Sequence, residues 1–445
     1  MQVIVSKKED NLALDEKFDL NKALKFYSGS KTSKIGLEYE RLSLDKDTLE
    51  NASYEKIAKI VEHFAKIQSW DLIYDNQTII GAKDNDNNSI SLEPGCQLEI
   101  SLKPQENIFD IDIALTKITT LLDNIAKAYD VIFLGYGISP ISCEDKINLL
   151  EKQRYKIMYN YLPYASVGEL CPKMMKQTAG IQINLDYKNN IDAFNKLKFF
   201  NLIMPFLMGL CSNSPFEKNN LSDKKSIRAH VWRYTGAQRC NLFYRDIFSK
   251  IFFKKQNIFK NYIEELFNVP MVYIEKYGKN IALKGKLTFG EYIKNGFKKH
   301  YATLDDFLLH QSLCFPDVRL KNYIEIRNHD SQTPSFALAL CAFYKGLAQE
   351  DFNKLLKQFS YLKLADIEKY NEKIINQGLN YKINKRKNGW DIIYELYDIS
   401  YSNLSTKEKI YLEPIKTMLK NKKTNADLIQ EQNIQSAKDL LEFLN

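Results

Sequence analysis

Ile35-Gly36-Leu37-Glu38-Tyr39-Glu40-Arg41-Leu42 alternates apolar and polar residues. A β-strand points successive side chains to opposite faces, so Leu37 and Tyr39 share one face while Glu38 and Glu40 share the other. Three more segments read the same way. In Gly95-Cys96-Gln97-Leu98-Glu99-Ile100-Ser101-Leu102 the apolar face is Leu98, Ile100 and Leu102, and the polar face is Gln97, Glu99 and Ser101. In Ile181-Gln182-Ile183-Asn184-Leu185-Asp186-Tyr187 the polar face is Gln182, Asn184 and Asp186. In Val318-Arg319-Leu320-Lys321-Asn322-Tyr323-Ile324-Glu325-Ile326-Arg327, Glu325 and Arg327 lie together with Arg319, Lys321 and Tyr323. One such strand is ordinary for the outer face of an antiparallel sheet. Four that collect glutamates on the polar side, where Thr, Lys and Ser would serve solvent better, point to a working face.

Helical periodicity separates these segments, over 54–67 (Ile57, Ile60, Val61, Phe64 and Ala65 on one stripe), 108–129, 191–210, 336–347 and 428–444. The order is neither a strict βαβα alternation nor an all-β meander. It predicts an α+β fold with a mainly antiparallel sheet and helices packed on one face.

The 445 residues suffice for a large core, and the 27% charged and 12% aromatic fractions are those of a folded chain. Lys plus Arg number 63 and Asp plus Glu 55, a net charge of +8. That is mild for this size and does not demand a nucleic-acid role. Part of the excess sits between Tyr381 and Asn425, where Trp390, Tyr394, Tyr397 and Tyr401 fall at helical spacing and suggest a packing stripe. We therefore expect a catalytic domain over 1–375 and a Lys-rich helical extension over 376–445, packed on that domain. Seven scattered cysteines without a CxxC exclude zinc-ribbon and thioredoxin-like classes. With an N-terminus that lacks a signal-peptide pattern, they predict reduced thiols and a cytoplasmic location. The longest apolar stretch, 199–211, is broken by Asn201 and Pro205, so no membrane partner is expected.

Glu38, Glu40, Glu99 and Glu325 on one face would repel one another unless cations hold them. An all-oxygen donor set selects Mg²⁺ or Mn²⁺ over zinc, and such a site suggests phosphoryl chemistry on a nucleotide. The usual nucleotide signatures are absent. Gly278 and Gly285-Lys286-Leu287 have the wrong spacing for a P-loop, and Pro140 stands where Gly135-Tyr136-Gly137 would need its third glycine. No HExxH or Gly-x-Ser-x-Gly occurs. His230 and His329 lie near the site segments and read as hydrogen-bonded supports.

Several motifs follow one order: Ile35–Arg41, Glu93-Pro-Gly-Cys-Gln-Leu-Glu99, Lys152-Gln-Arg-Tyr-Lys-Ile-Met158, and Met174-Met-Lys-Gln-Thr178 with Gln182-Ile-Asn-Leu-Asp186. Asn213-Ser-Pro-Phe216, Ser226-Ile-Arg-Ala-His-Val-Trp232 and Phe315-Pro-Asp-Val-Arg-Leu-Lys with Glu325-Ile-Arg327 complete it. From about residue 30 to 350 the chain resembles the plant-type glutamate–cysteine ligases (gamma-glutamylcysteine synthetases). The resemblance implies a glutamine-synthetase-like fold whose curved sheet binds metals, ATP and glutamate. It implies phosphorylation of the γ-carboxylate of L-glutamate by MgATP and attack by the amine of L-cysteine. The products would be γ-glutamylcysteine, ADP and phosphate, the first step of glutathione biosynthesis, made by a monomer or homodimer.

Carried over by position, Glu38, Glu40, Glu99 and Glu325 resemble metal ligands, with Glu93 beside them. Arg327 resembles a phosphate-facing arginine, and Arg228 with Trp232 a holder of substrate carboxylate. Arg154 and Arg239 follow as phosphate or carboxylate contacts, Gln182 and Asn184 as orienting amides, and Met174, Thr178 and Tyr155 as pocket walls or core. Two departures stand out. Cys96 occupies a position where the family usually has glycine, and the stretch after Trp232 lacks the family's Thr-Asp pair and its Arg-x-Gly. The second departure leaves open a glutamate–amine ligase with another acceptor. A basic nucleic-acid-binding protein and a family member that binds without catalysing are the remaining alternatives.

Overall fold

The computed structural model describes residues 16–29, 32–240, 257–432 and 434–444. Thirteen strands occur among these residues. They are β1 (Ile35–Asp45), β2 (Asp71–Asp75), β3 (Thr78–Lys83), β4 (Ser89–Leu92), β5 (Leu98–Gln105), β6 (Val131–Leu134) and β7 (Gly180–Leu185). Hairpins β8 (Phe216–Glu217) with β9 (Asn220–Leu221) and β10 (Tyr273–Lys276) with β11 (Lys279–Ala282) follow, and then β12 (Val318–Leu320) and β13 (Ile324–Asp330). Nine of them form one open sheet in the order β12-β13-β7-β1-β5-β4-β3-β2, with β6 on the second half of β1. Its pairings are antiparallel.

The four alternating segments are the four central neighbours. Leu37, Tyr39, Leu98, Ile100, Ile181, Ile183, Ile324 and Ile326 are buried, aligned as Leu37↔Ile183, Tyr39↔Ile100 and Ile183↔Ile326. Helices Ile108–Lys127, Asn190–Leu210 and Pro334–Ala348 pack against these strands, and helix Tyr54–Gln68 packs against β2 and β3, as their stripes predict. Burying each such aliphatic side chain stabilises by about 1.5–3 kcal/mol, which fixes the register, because a one-residue slip would turn every glutamate into this layer. No helix among the described residues is long and apolar enough to cross a membrane.

Two expectations are corrected. The 428–444 stripe is two helices, Asn425–Glu431 and Ala437–Leu444. The first helix ends at its C-cap Gln432, and the second begins on a capping pair of its own, in which Ser436 N–H donates to Asp439 Oδ2 (3.0 Å) and Asp439 N–H to Ser436 Oγ (3.2 Å). The aromatic stripe is only half inside: Trp390 and Tyr397 are buried, while Tyr394 and Tyr401 are exposed. Helix Ile367–Gln377 runs through position 375, and helix Gly389–Asn403 packs on Pro334–Ala348, with Ser400 Oγ donating to the Phe343 carbonyl (2.9 Å). Lys345 on Pro334–Ala348 also pairs with Glu408, at the start of the short helix Glu408–Leu412 that follows (2.6 Å).

Candidate active site

The sheet register assembles the polar face. Glu40 lies directly opposite Glu99, Glu38 stands between Ser101 and Gln182, and Glu325 lies opposite Asn184. Opposed strand residues have Cβ atoms about 4.5–5.5 Å apart, so like charges here repel. Glu93 joins from the turn between β4 and β5. That turn is closed by Cys96 N–H on the Glu93 carbonyl (2.8 Å) and by Gln97, which accepts from Gly95 N–H (2.8 Å) and donates to the Thr178 carbonyl (2.9 Å). Cys96 sits at φ 62°, a left-handed conformation, which explains why glycine suits this position. Its thiol is buried and pushed up to about 12, so it is a protonated packing group.

The carboxylates differ in charge. Burial, with Glu99 alongside, raises Glu40 to about 7, although Gly180 N–H (2.6 Å) and Gln182 Nε2 (3.1 Å) donate to it. Burial with Glu40 nearby raises Glu93 to about 6. Burial with Glu93 and Glu38 nearby raises Glu99 to about 8. Glu38 accepts from Asn184 Nδ2 (2.9 Å), while the buried Asn184 Oδ1 has no hydrogen-bond partner.

Glu325 is the opposite case. It is 1% exposed and, despite burial, Arg319, Lys321 and Arg327 hold it well below the usual carboxylate range. Arg319 Nη2 (2.9 Å) and Lys321 Nζ (3.1 Å) donate to Oε1, and Arg319 Nε (2.6 Å) and Arg327 Nη1 (3.0 Å) to Oε2. All four acceptor positions are taken, so Glu325 can bind a cation only when Lys321 or Arg327 lets go. Arg327 also donates to Gln182 Oε1, so Gln182 links Arg327 to Glu40.

Arg228 lies on helix Ile227–Arg233, its guanidinium packed against the Gly180 backbone so closely that a Cβ there would meet Nη2 at 2.3 Å. Nη2 donates to the Arg327 carbonyl (3.2 Å), the charge lies 5.8 Å over the Trp232 ring, and the buried Nε and Nη1 have no partner. Two unpaired donors on a buried cation are what an incoming carboxylate satisfies. Asp330, which sequence reasoning missed, anchors this helix. It accepts from Asn213 N–H (2.9 Å), Ser214 Oγ (2.6 Å) and Ser226 Oγ (2.8 Å), and Ser226 caps the helix. Alternation alone could not find it, because a bulge between Ile326 and His329 changes the phase of β13. The same bulge leaves His329 as a support, bonded to the Ile181 carbonyl (3.1 Å) and to Tyr344 Oη (2.7 Å).

The remaining candidates divide. Arg154 and Tyr155 stand at the start of helix Gln153–Tyr161 beside Glu93, with Tyr155 Oη donating to the Leu92 carbonyl (3.2 Å). Met174 and Thr178 are buried, and the Thr178 hydroxyl is spent on the Met174 carbonyl (2.7 Å). Arg239 is a correction: 1% exposed, it donates to the carbonyls of Leu313 (3.2 Å) and Pro270, and so braces loops instead of facing the carboxylates. Asn241, at the end of the stretch that departs from the family pattern, lies outside the described residues.

The model of the glutamate-cysteine ligase family 2 matches residues 34–436 of this chain, nearly its whole length. The chain belongs to that family. The match extends past residue 350, where recognisable motifs end, and takes in the helices up to Asn425–Glu431 but not the last one, Ala437–Leu444. The chain is 30% identical over 321 residues to the chloroplastic glutamate–cysteine ligase of Nicotiana tabacum, covering 72% of this chain and 60% of that one. It is 28% identical over 414 residues to the chloroplastic enzyme of Medicago truncatula, covering 91% and 80%. The chain thus spans less than two thirds of the length of the first relatives it matches. A crystal structure of the glutamate–cysteine ligase of Francisella tularensis in complex with AMP has a TM-score of 0.58 at 13% identity, over 94% of this chain and 88% of that one. That likeness shows the α+β fold. The relatives are named as chloroplastic enzymes, which overturns the expectation of a cytoplasmic location.

Proposed function

We propose that this chain is an ATP-dependent ligase that joins L-glutamate to L-cysteine through the γ-carboxylate. The observation that carries the reading is the meeting of buried glutamates with Arg327 and the half-satisfied Arg228, in a chain of the glutamate-cysteine ligase family.

The donor chemistry fits a hard divalent cation such as Mg²⁺. Glu38, Glu40, Glu93 and Glu99 supply carboxylate oxygens, and the unpartnered Asn184 Oδ1 supplies a neutral one. Among the described residues no three acidic, histidine or cysteine side chains are already gathered as a cation site, so these glutamates must lose protons and draw together. Bound there, the cation would neutralise phosphate oxygens of MgATP.

The chain's own residues do the rest. Arg228 binds a carboxylate of glutamate with Nε and Nη1, and Trp232 covers the face of its guanidinium. That leaves the γ-carboxylate to attack the terminal phosphorus of ATP, breaking the bond to ADP and forming an acyl phosphate. A carboxylate is a poor electrophile at neutral pH, and the acyl phosphate gives it a leaving group. Arg327, held in place by Glu325 and Gln182, and Arg154 neutralise charge on the phosphoryl oxygens. The amine then attacks the acyl carbon, phosphate departs and the amine proton leaves to solvent. The Lys-rich segment from 376 onward serves as a packed extension. Its pairs Lys387–Glu395, Lys416–Glu413 and Lys423–Glu431 favour this over a nucleic-acid surface.

A coupled ADP-release assay with glutamate and a panel of amines tests the reading. Turnover highest with cysteine supports it. Turnover far higher with another amine would transfer the assignment to a different acceptor, as the altered 233–241 stretch allows.

A further inference from the structure

Lys152 has no place in the chemistry above. It caps helix Gln153–Tyr161 and is only 6% exposed. Its Nζ lies 4.7 Å over the Tyr155 ring, and among the described residues it has no hydrogen-bonding or ion-pairing partner. Arg154, two residues on, lies 5.7 Å from the centre of the same ring and leaves its buried Nε unpartnered. Tyr155 is itself buried and tied to the end of β4 through the Leu92 carbonyl (3.2 Å), so both cations rest on a fixed platform beside Glu93. Two like charges buried side by side without a contacting carboxylate disfavour the empty state, and a ligand of opposite charge relieves them.

The ligand must carry several negative charges within a short span, since Lys152 offers a compact point charge and Arg154 a planar fork. Polyphosphate has that chemistry. We propose that Lys152 and Arg154 together form the subsite for the β- and γ-phosphates of the nucleotide, with Lys152 a direct phosphate contact. The inference rests on the ligase reading and adds a residue to its site.

Calorimetric titration of ATP, AMP and sodium tripolyphosphate into the full chain and into Lys152→Met and Lys152→Arg tests it. The methionine keeps the packing on Tyr155 and removes only the charge. Lys152→Met should weaken ATP and tripolyphosphate about 30-fold or more and AMP by less than about 3-fold, and Lys152→Arg should restore most of the loss. ATP affinity equal in wild type and Lys152→Met, or AMP weakened as much as ATP, would overturn the subsite. Failure of the wild type to bind either ATP or tripolyphosphate would instead overturn the ligase reading. If Lys152→Met does not fold, hydrogen exchange on the wild type decides. Tripolyphosphate should slow the amides of helix Gln153–Tyr161, and unchanged exchange there would count against the proposal.

Discussion

The raised carboxyls make the metal-free protein weaken as pH rises through neutrality. Glu40, Glu93 and Glu99 have folded values of about 7, 6 and 8, against an ordinary value of 4.5. Above pH 6.5 the unfolded chain has already released all three protons, while the folded chain still holds most of those on Glu40 and Glu99. The folded state therefore binds more protons, and stability falls with rising pH. At 1.36 kcal/mol per pH unit per proton, the glutamates lose about 2.5 kcal/mol between pH 6.5 and 8. Two groups act in the other direction. His310 and His329, pushed down to about 3 by burial, return somewhat under 1 kcal/mol as the last unfolded imidazoles deprotonate. Lys152, lowered to about 8 by burial and Arg154, returns a few tenths of a kcal/mol more. The net loss is roughly 1–2 kcal/mol. Urea unfolding in EDTA at the two pH values measures it, and MgCl₂ should remove most of the slope by binding the ionised carboxylates. Stability that is flat or rises with pH in EDTA would refute the charge assignment of this face.

Four substitutions probe other parts of the site. Arg228→Ala should weaken glutamate binding by roughly 2–5 kcal/mol, read as a raised glutamate KM; an unchanged KM would remove Arg228 from the site. Asp330→Ala strips three hydrogen bonds and a buried counter-charge from helix Ile227–Arg233, and should cost roughly 3–5 kcal/mol of stability in urea. Glu325→Gln leaves Arg319, Lys321 and Arg327 without their shared anion. It should lower stability by a similar ~3–5 kcal/mol as well as stop ATP turnover, and wild-type stability would show those cations to be well solvated. Cys96→Gly should be more stable than Cys96→Ala by about 1 kcal/mol, because only glycine adopts φ 62° without strain; the reverse order would count against the turn geometry.

Much of this site was legible in the sequence because strands have a period of two. Once Glu38, Glu40, Glu99 and Glu325 were placed opposite buried Leu and Ile, their common face followed without knowledge of strand order. Ionisation was not legible: Glu325 and Glu99 share the polar face of one sheet, on strands separated by β7 and β1, yet one is clamped by three cations and the other is crowded by carboxyls. That difference depends on which side chains meet across the sheet. Arg239 shows the same limit, since its backbone carbonyl partners come from residues 270 and 313. Asp330 was hidden by a bulge, and Lys152 by its own chemistry, since a lysine in a polar stretch reads as solvated until its burial is seen. The start of the last helix was written in the Ser436–Asp439 capping pair, which the apolar stripe of 428–444 outweighed.

The central claim is that this face joins glutamate to cysteine through an acyl phosphate. Mass spectrometry of the products formed from glutamate, ATP and an equimolar mixture of cysteine and other amines tests it most directly. γ-Glutamylcysteine should be the main adduct, with one ADP and one phosphate per molecule. A main adduct with another amine, or release of AMP and pyrophosphate in place of ADP and phosphate, would contradict it.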